Sequence, residues 1–176
     1  LLDGYKGLTY IDDDGREVSS GTSGRIFVGN GALFEGYTGG GHKEIIDGLM
    51  SSGDVGYFDE HGLLYVSGRD DEMIVSGGEN VFPLEVENLL AEHRDVADVA
   101  VVGVDDEEYG TRLRAFIVRA DGSDPQADEL RAHVKANLAR YKVPRTVVFV
   151  DEVKRTPAGK ADYRWAKAAA AARPAQ

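Results

Sequence analysis

The stretch Val96-Ala-Asp-Val-Ala-Val-Val-Gly-Val104 is almost continuously apolar and rich in β-branched residues. This composition is typical of a strand that is buried on both faces, and we expect it to be the central strand of a sheet. The segment from Arg112 to Val118 is predicted to be its partner strand, and Val147-Val-Phe-Val150 is predicted to be a last strand. This part of the sequence therefore predicts a buried sheet.

Helices are predicted before, between and after these strands. Pro83 stands where a helix can begin, and Glu85 and Glu87 lie near its start, where acidic side chains favour the helix dipole. Asp124-Pro125 has the residue types of an N-cap and a first turn, and apolar residues follow it at a spacing of four. The alanine-rich tail from Ala161 to Pro174 is expected to be a frayed surface helix. Strands and helices together predict a small α+β domain.

The first part of the chain has a different pattern. Short strand candidates, such as Arg25-Ile-Phe-Val28 and Leu63-Leu-Tyr-Val66, are separated by the turn signals Ile11-Asp-Asp-Asp-Gly15 and Asp59-Glu-His-Gly62. The pattern predicts a β-rich, barrel-like segment. The fold class expected for the whole chain is therefore mixed, with this β-rich segment followed by the α+β domain.

The change of pattern falls at the short polar stretch Gly68-Arg-Asp-Asp71. We predict a first domain at residues 1–70 and a second at residues 71–176. The chain does not begin with Met and opens as if within a sheet, so the first domain is expected to be incomplete.

Composition excludes several classes of function. The 176 residues carry a net charge of −11, a field that repels phosphate backbones and anionic lipid, so nucleic-acid and membrane-surface binding are not expected. The absence of cysteine excludes disulfides, a thiolate nucleophile and cysteine-bound zinc, and it fits a cytoplasmic protein. Neither a signal peptide nor a run of membrane-spanning length is recognisable.

The segment from Ser52 to Arg69 contains the first candidate site. If Asp59 to Gly62 forms a four-residue loop, then Asp54 faces Ser67, and Arg69 lies diagonally beside them on the same face. A carboxylate and a guanidinium in this arrangement could form an ordinary surface ion pair. They could also bind a diol, because the carboxylate accepts hydroxyl hydrogens and the guanidinium donates across a fixed fork.

Two further segments have unusual turn chemistry. Gly77 and Gly78 lie between two short strands and permit positive φ, either for a hairpin turn or for a ligand that runs against bare backbone. Thr-Pro followed by Ala-Gly in Val153-Lys-Arg-Thr-Pro-Ala-Gly-Lys160 predicts a tight loop that presents Lys160 at its end. That lysine is either simply solvated or placed opposite an anion.

No metal site is predicted, because the histidines show no ligand spacing; they are His42, His61, His93 and His133. The glycine-rich stretches Gly29-Asn-Gly31 and Gly39-Gly-Gly41 lack the lysine and the strand–loop–helix setting of a phosphate-binding loop.

Taken together and in this order, the candidate segments resemble the adenylate-forming superfamily of acyl-CoA ligases, luciferases and adenylation domains. Residues 53–87, GDVGYFDEHGLLYVSGRDDEMIVSGGENVFPLEVE, and residues 154–160, KRTPAGK, are similar to that family's motifs, and the resemblance extends from about Gly24 to Lys160. Two departures are Ser52, where threonine is common in the family, and Leu49, near a position where tryptophan is common.

The resemblance implies roles for six residues. Asp54 and Arg69 would bind the adenosine nucleotide through its ribose, and Asp71 would be the hinge between a large N-terminal domain and a mobile C-terminal lid. Gly77 and Gly78 would line the pantetheine channel for CoA. Lys160 would contact the acyl carboxylate and the α-phosphate during adenylation.

The implied activity is that of an ATP-dependent fatty-acid–CoA ligase, most similar to actinobacterial ones, which uses a carboxylic acid, ATP with Mg, and CoA. The segment VSGGENVFPLEVE favours a CoA ligase over the adenylation domain of another acid-activating enzyme. A non-catalytic interaction module that shares the lid fold is the remaining alternative. The phosphate loop and the acyl pocket would belong to the N-terminal domain, so the chain alone is expected to be inactive.

Overall fold

The computed structural model describes residues 5–12, 14–30 and 43–172. The strands are β1 Tyr5–Ile11, β2 Gly24–Asn30, β3 Ile45–Ile46, β4 Leu49–Phe58, β5 Leu64–Arg69, β6 Ile74–Ser76, β7 Glu79–Val81, β8 Val96–Asp106, β9 Gly110–Arg119 and β10 Thr146–Phe149. The helices are α1 Pro83–Ala91, α2 Ala127–Asn137 and α3 Tyr163–Ala171. The chain divides into two compact units, Leu1–Asp71 and Glu72–Gln176.

The first unit is built around one antiparallel sheet whose strands differ in length. Strand β4, ten residues long, pairs with β2, β3 and β5, and β1 pairs with β2. Ile26, Phe27 and Val55 are its buried apolar side chains among the described residues. Because β1, β3 and β5 each have one pairing neighbour in the described part of the chain, the sheet is open and does not close into the expected barrel. The run Gly39–Gly41 lies outside the described residues.

The β4–β5 hairpin is one residue out of the predicted register. Phe58 pairs with Leu64, whereas a four-residue loop would pair it with Leu63. The reason is local hydrogen bonding: the Asp59 carboxylate accepts the backbone N–H groups of His61 and Leu63, and the Asp59 N–H donates to the Leu63 carbonyl. Leu63 is therefore held inside the loop, which has five residues.

The second unit contains a three-stranded sheet in the order β10-β9-β8. Strands β8 and β9 are antiparallel, and β9 and β10 are parallel. The long apolar strand at Val96–Asp106 was predicted to be central, but this is wrong: β9 occupies the middle position among the described strands of this sheet. Its burial on both faces was predicted correctly, since Val99, Ala100, Val101 and Val102 are all buried.

Two hydrophobic clusters cover the two faces of this sheet. One face packs against α1 and α2 through side chains that include Val86, Leu90, Leu130 and Val134. The opposite face packs against α3 through Ala166 and Ala170. Because both faces of the sheet are covered, the β8 side chains that point to either face are apolar.

Helix α1 begins at Pro83 as predicted. Helix α2 begins later than predicted, because its N-cap is Gln126 and the Asp124 carboxylate lies 3.3 Å from Arg119 instead of capping the helix. None of the helices in the described ranges has the length and apolar character that a membrane crossing requires.

Helix α3 is not the frayed surface helix that the alanine-rich tail suggests. Asp162 caps it by accepting the N–H groups of Arg164 and Trp165. Ala166 and Ala170 are buried against the sheet. The Trp165 ring lies 5.6 Å from that of Phe116. Alanine is used here for close approach to the sheet. The expected end at Pro174 lies outside the described residues.

Candidate functional site

Asp54 and Arg69 face each other directly across β4 and β5. The five-residue loop moves the pairing by one residue, and a second shift between Val55 and Gly56 moves it by another, so that Arg69, not Ser67, lies opposite Asp54. Such a bulge re-aims a side chain at a sheet edge, and the simple alternation used for the sequence prediction misses it. The two nucleotide-binding candidates are therefore closer than predicted, with Arg69 Nη1 3.7 Å from Asp54 Oδ1.

The backbone before Asp54 leaves room for this pair. Gly53 has a φ of +85°, and a Cβ atom there would lie 3.0 Å from Arg69 Nη1. The Ser52 hydroxyl accepts the Asp54 N–H at 3.1 Å and so fixes the turn that presents the carboxylate. The Asp54 side chain is 35% exposed and that of Arg69 is 40% exposed. Both polar groups are therefore accessible to a ligand with paired hydroxyls.

Asp71, the hinge candidate, is linked to the same arginine. Its carboxylate accepts a hydrogen bond of 3.2 Å from Arg69 Nε. Asp71 lies in a one-turn 3-10 helix at Asp70–Glu72, and its side chain is largely exposed. The chain divides into its two units after this residue. The structure thus brings Asp54, Arg69 and Asp71 into one cluster.

Gly77 and Gly78 form the two-residue turn between β6 and β7. Their φ angles are +60° and +85°, a pair that glycine adopts without strain. The Gly77 N–H donates to the Tyr109 carbonyl at 3.1 Å, and a Cβ at position 77 would lie 3.1 Å from the Tyr109 ring. Around Gly78 there is open space. The predicted hairpin turn is therefore present, and the role of its exposed backbone as a passage for a ligand stays a prediction.

The turn that contains Tyr109 is itself held by a carboxylate. Asp106 accepts the backbone N–H groups of Glu108 and Tyr109, and these bonds, the one from Tyr109 foremost, lower the pKa of Asp106. The Arg112 guanidinium lies over the Tyr109 ring, 3.2 Å from its centre. The Gly77–Gly78 turn therefore rests on an ordered neighbour.

Lys160 ends a tight loop, as its sequence predicted. The Thr156 N–H donates to the Lys160 carbonyl, and the Gly159 N–H donates to the Thr156 carbonyl, both at 2.8 Å. Gly159 has a φ of +79°. The Lys160 side chain is exposed, and no carboxylate of the described residues lies within ion-pair distance of it. Its ammonium is thus available to an external anion.

Sequence reasoning missed a buried polar pair between α1 and α3. Glu87 is 7% exposed; it accepts the Val101 N–H at 2.7 Å and the Tyr163 hydroxyl at 2.9 Å. Burial raises the pKa of Glu87 and that of Tyr163. The residue that was interpreted as a helix-dipole partner is therefore a structural acceptor. The only available signal was that Glu87 directly follows the buried position Val86.

A pocket of about 210 Å³ adjoins this pair in the second unit. Its lining includes Glu72, Ile74, Gly103, Thr111, Tyr163 and Lys167. Small-molecule sites usually have volumes of ~300–1,000 Å³, so this pocket is smaller than a substrate site.

The histidines are less scattered than their sequence positions suggest. The rings of His93 and His133 are 5.1 Å apart, and possible ligand atoms of His93, Asp95 and Glu129 lie within 4.8 Å of one another. His93 Nδ1 already accepts the Asp95 N–H, so this lone pair is partly used. His42 lies outside the described residues. The expectation that no metal is bound stays a prediction.

Comparison with protein families gives a match to the family described as "AMP-binding enzyme C-terminal domain", over residues 85–160. This range runs from α1 to the exposed lysine of the tight loop. Residues 85–160 belong to the AMP-binding enzyme C-terminal domain family. The resemblance inferred from the two sequence motifs is therefore confirmed.

Curated relatives extend the similarity beyond residues 85–160. A medium/long-chain-fatty-acid–CoA/3-oxocholest-4-en-26-oate–CoA ligase of Mycobacterium tuberculosis is 43% identical over 173 residues, 94% of this chain and 32% of the relative. An indoleacetate–CoA ligase of Aromatoleum aromaticum is 41% identical over 87% of this chain and 31% of the relative. The chain spans about a third of the length of the curated relatives it matches.

Solved structures have the same fold. The o-succinylbenzoate CoA synthetase of Bacillus subtilis, in complex with an acyl-adenylate intermediate, superimposes with a TM-score of 0.83 at 30% identity, over 92% of this chain and 33% of that one. An amide bond synthetase from Marinactinospora thermotolerans gives a TM-score of 0.82 at 36% identity, over 92% of this chain and 34% of that one. The mixed fold predicted from the sequence is confirmed, apart from the barrel.

Proposed function

We propose that this chain is the C-terminal third of an ATP-dependent acyl-CoA ligase. The observation that carries the proposal is the exposed Lys160 at the end of a tight loop that closes the matched AMP-binding enzyme domain. The names of the relatives support it, since those from Mycobacterium tuberculosis and Aromatoleum aromaticum are both CoA ligases.

The reaction has two steps. A carboxylate attacks the α-phosphorus of ATP, which enters as its magnesium complex, and yields an acyl-adenylate and pyrophosphate. The CoA thiol then attacks the acyl carbon, so that a thioester forms and AMP leaves. Both steps break a bond to a good leaving group, and the protein's task is mainly positioning and charge stabilisation.

Asp54 and Arg69 are proposed to bind the nucleotide. Two hydroxyls of a ribose suit the Asp54 carboxylate, which has two acceptor oxygens, and the neighbouring guanidinium adds donors in a fixed fork. Their partial exposure and their direct cross-strand pairing support this role.

Lys160 is proposed to act in the first step. Its ammonium would lie beside the carboxylate and the α-phosphate, where negative charge accumulates as the new bond forms. A compact cation at that place stabilises the transition state by about 3–4 kcal/mol, by analogy with a single oxyanion-hole donor.

The second step is proposed to need a different lid position. Asp71, at the division between the two units, would be the hinge, and the bare Gly77–Gly78 turn would line the channel for the pantetheine arm of CoA. Open space around Gly78 supports this assignment. Hinge closure of this kind lets one pocket serve two chemistries.

The remaining two-thirds of the enzyme are proposed to cover an apolar surface of the first unit. Four consecutive apolar side chains are each more than 40% exposed: Leu63 in the loop, and Leu64, Tyr65 and Val66 at the start of β5. Because successive side chains of a strand point to opposite faces, these residues leave apolar surface exposed on both faces of β5, and such surface supports an interaction site. An N-terminal domain holding the phosphate loop and the acyl pocket is the partner that the coverage of the relatives suggests.

The acid is proposed to be a medium or long fatty acid, because the mycobacterial relatives carry that name. A cytoplasmic location, expected from the cysteine-free sequence, stays a prediction.

A second candidate function differs in the acceptor of the acyl group. Relatives named as a fatty acid–[acyl-carrier-protein] ligase and as an amide bond synthetase favour an adenylate-forming enzyme that does not use CoA. A non-catalytic module is disfavoured by the preserved Lys160 loop.

The test is made on the whole enzyme that carries this chain and, in parallel, on the chain alone. The enzyme should catalyse fatty-acid-dependent ATP–pyrophosphate exchange and release AMP when CoA is added. The chain alone should do neither. Absence of exchange with every acid tested would refute acid activation, whereas exchange followed by transfer to an amine or a carrier protein but not to CoA would favour the second candidate.

A further inference from the structure

The loop that ends at Lys160 is closed at its base by backbone contacts. Arg155 and Ala161 form an isolated antiparallel bridge, and the Asp162 N–H donates to the Lys154 carbonyl at 2.8 Å. These bonds define the shape of the loop, but they all lie within the segment 154–162. They do not by themselves fix the direction of Lys160 relative to the sheet.

Arg155 connects the loop to the sheet. Its Nε and Nη2 donate to the two carboxylate oxygens of Asp98 on β8, in a bidentate pair. Its remaining nitrogen, Nη1, donates to the Gly159 carbonyl at 2.9 Å. One planar guanidinium therefore joins Gly159, the residue directly before Lys160, to Asp98, which lies 57 positions before Arg155 in the chain. Because the guanidinium is planar and its donors have fixed directions, its bonds fix the orientation of the groups it joins as well as attracting them.

Asp98 is held firmly on its side of the contact. Its Oδ1 also accepts the N–H of Val99 at 2.8 Å. The β8–β9 pairing shifts between Val96 and Asp98, an irregularity that re-aims the Asp98 side chain. The next four residues of the strand, Val99 to Val102, are buried. The carboxylate thus directly precedes the buried stretch of β8.

We propose that Asp98 and Arg155 are positioning residues that hold the Lys160 loop in the orientation needed for adenylation. The inference rests on the proposed function, because it assigns Lys160 to that step. An exposed ion pair contributes little to stability. The role proposed for the Asp98–Arg155 pair is therefore to hold Gly159, and with it the Lys160 loop, in place. Neither residue needs to touch the substrate.

The main variant is Asp98→Asn, which keeps the shape of the side chain but removes its charge. We expect kcat for adenylation in the whole enzyme to fall by roughly five- to a hundredfold, a range set by the loss of an ion pair and by displacement of a catalytic group. KM for ATP should change little. Arg155→Lys, which cannot bond both Asp98 and Gly159, should resemble it.

A double mutant distinguishes positioning from general damage. In a Lys160→Ala background, Asp98→Asn should produce no further loss of adenylation, because the residue acts only through the lysine. The matched control is Asp128→Asn on α2, which breaks another exposed Asp–Arg pair, with Arg131, without touching the loop. It should leave adenylation unchanged.

Limited trypsin digestion gives a readout that does not depend on activity. Asp98→Asn retains every lysine and arginine of the loop, so faster cleavage after Lys160 would show that the loop has lost its anchor. Unchanged cleavage, or an undiminished adenylation rate despite faster cleavage, would overturn the proposal. If the wild-type enzyme shows no acid-dependent exchange, the proposed function itself fails, and this is seen before any variant is compared.

Discussion

The Tyr163 hydroxyl donates a 2.9 Å hydrogen bond to Glu87 Oε2, and Glu87 Oε1 accepts the Val101 N–H. This single carboxylate therefore joins α3, α1 and β8. The carboxylate is tolerated in the core because each of its two oxygens accepts a hydrogen bond. Since Tyr163 follows the Lys160 loop by three residues, the bond also anchors the chain where that loop ends.

We predict that Glu87 makes the stability of the chain fall as the pH rises. Burial is the largest cause that raises the pKa of Glu87 above its ordinary value of 4.5, and the Glu72 charge adds to it, while the Val101 and Tyr163 bonds and Arg155 oppose it. The folded chain then binds the proton more tightly than the unfolded chain. This stabilisation is complete below pH 4.5 and decreases as the pH rises through the raised pKa.

Glu87→Gln should remove that pH dependence and leave the free energy of unfolding at pH 7 within about 1 kcal/mol of wild type. Glu87→Ala should instead destabilise the chain by roughly 1–3 kcal/mol for each buried donor left unpaired. Denaturant unfolding from pH 4 to pH 8, followed by fluorescence of the single tryptophan, Trp165, measures both. A Gln variant that keeps the wild-type slope would show that another group titrates.

Lys160→Ala should reduce adenylation by about 10²–10³-fold, as loss of one transition-state donor does. Thioester formation from a supplied acyl-adenylate should change much less, because Lys160 is proposed to act in the first step only. The two half-reactions are measured separately in the whole enzyme. Equal losses in both would mean that the lysine supports folding or general binding.

Acetylation of Lys160 removes the same positive charge and should have the same selective effect. Its exposed side chain is accessible to a modifying enzyme. The measurement is the rate of ATP–pyrophosphate exchange by the stoichiometrically acetylated enzyme. Full activity after acetylation would exclude this form of regulation, and Lys160→Arg, which keeps a charge that cannot be acetylated, is the matched control.

Asp71→Pro should arrest the proposed hinge. Proline fixes φ near −65° and removes the N–H, so a residue that must change its backbone angles between two lid positions would be held in one. One half-reaction should continue at nearly its normal rate while the other falls by orders of magnitude. Single-turnover measurements of each step test this.

The control for the hinge is Asp71→Ala. This substitution leaves the backbone free to change its dihedral angles and removes only the exposed contact with Arg69. It should do much less than proline. Loss of both half-reactions in both variants, or normal overall turnover with proline, would mean that residue 71 is not the pivot.

The docking of α3 on the sheet can be tested with two alanines on the same helix. Ala166 is fully buried and Ala168 is exposed. Ala166→Asp would bury an unpaired charge and should destabilise the second unit by about 3 kcal/mol or more, while Ala168→Asp should cost less than about 1 kcal/mol. Circular dichroism during denaturant unfolding measures the difference. Similar effects of the two substitutions would support the frayed helix expected from the sequence.

The sequence by itself determined the order of elements and the local turns. Hydrophobic patterning located β8, β9 and β10, and Pro83 marked the start of α1, because these signals depend on residues close together in the chain. The glycines at 77 and 78 and the loop before Lys160 were predictable for the same reason, since each turn is specified by its own four or five residues.

Only the tertiary structure decided which residues meet. Three features depend on strand register or on contacts between distant segments: the two register shifts that bring Arg69 opposite Asp54, the burial of Glu87 and the bond from Arg155 to Asp98. A shift of one residue reverses the face of a side chain, and local patterns do not record that shift. The packing of α3 was also decided by the tertiary structure. Its alanines give no signal in the sequence, but their small side chains let the helix lie directly against the sheet.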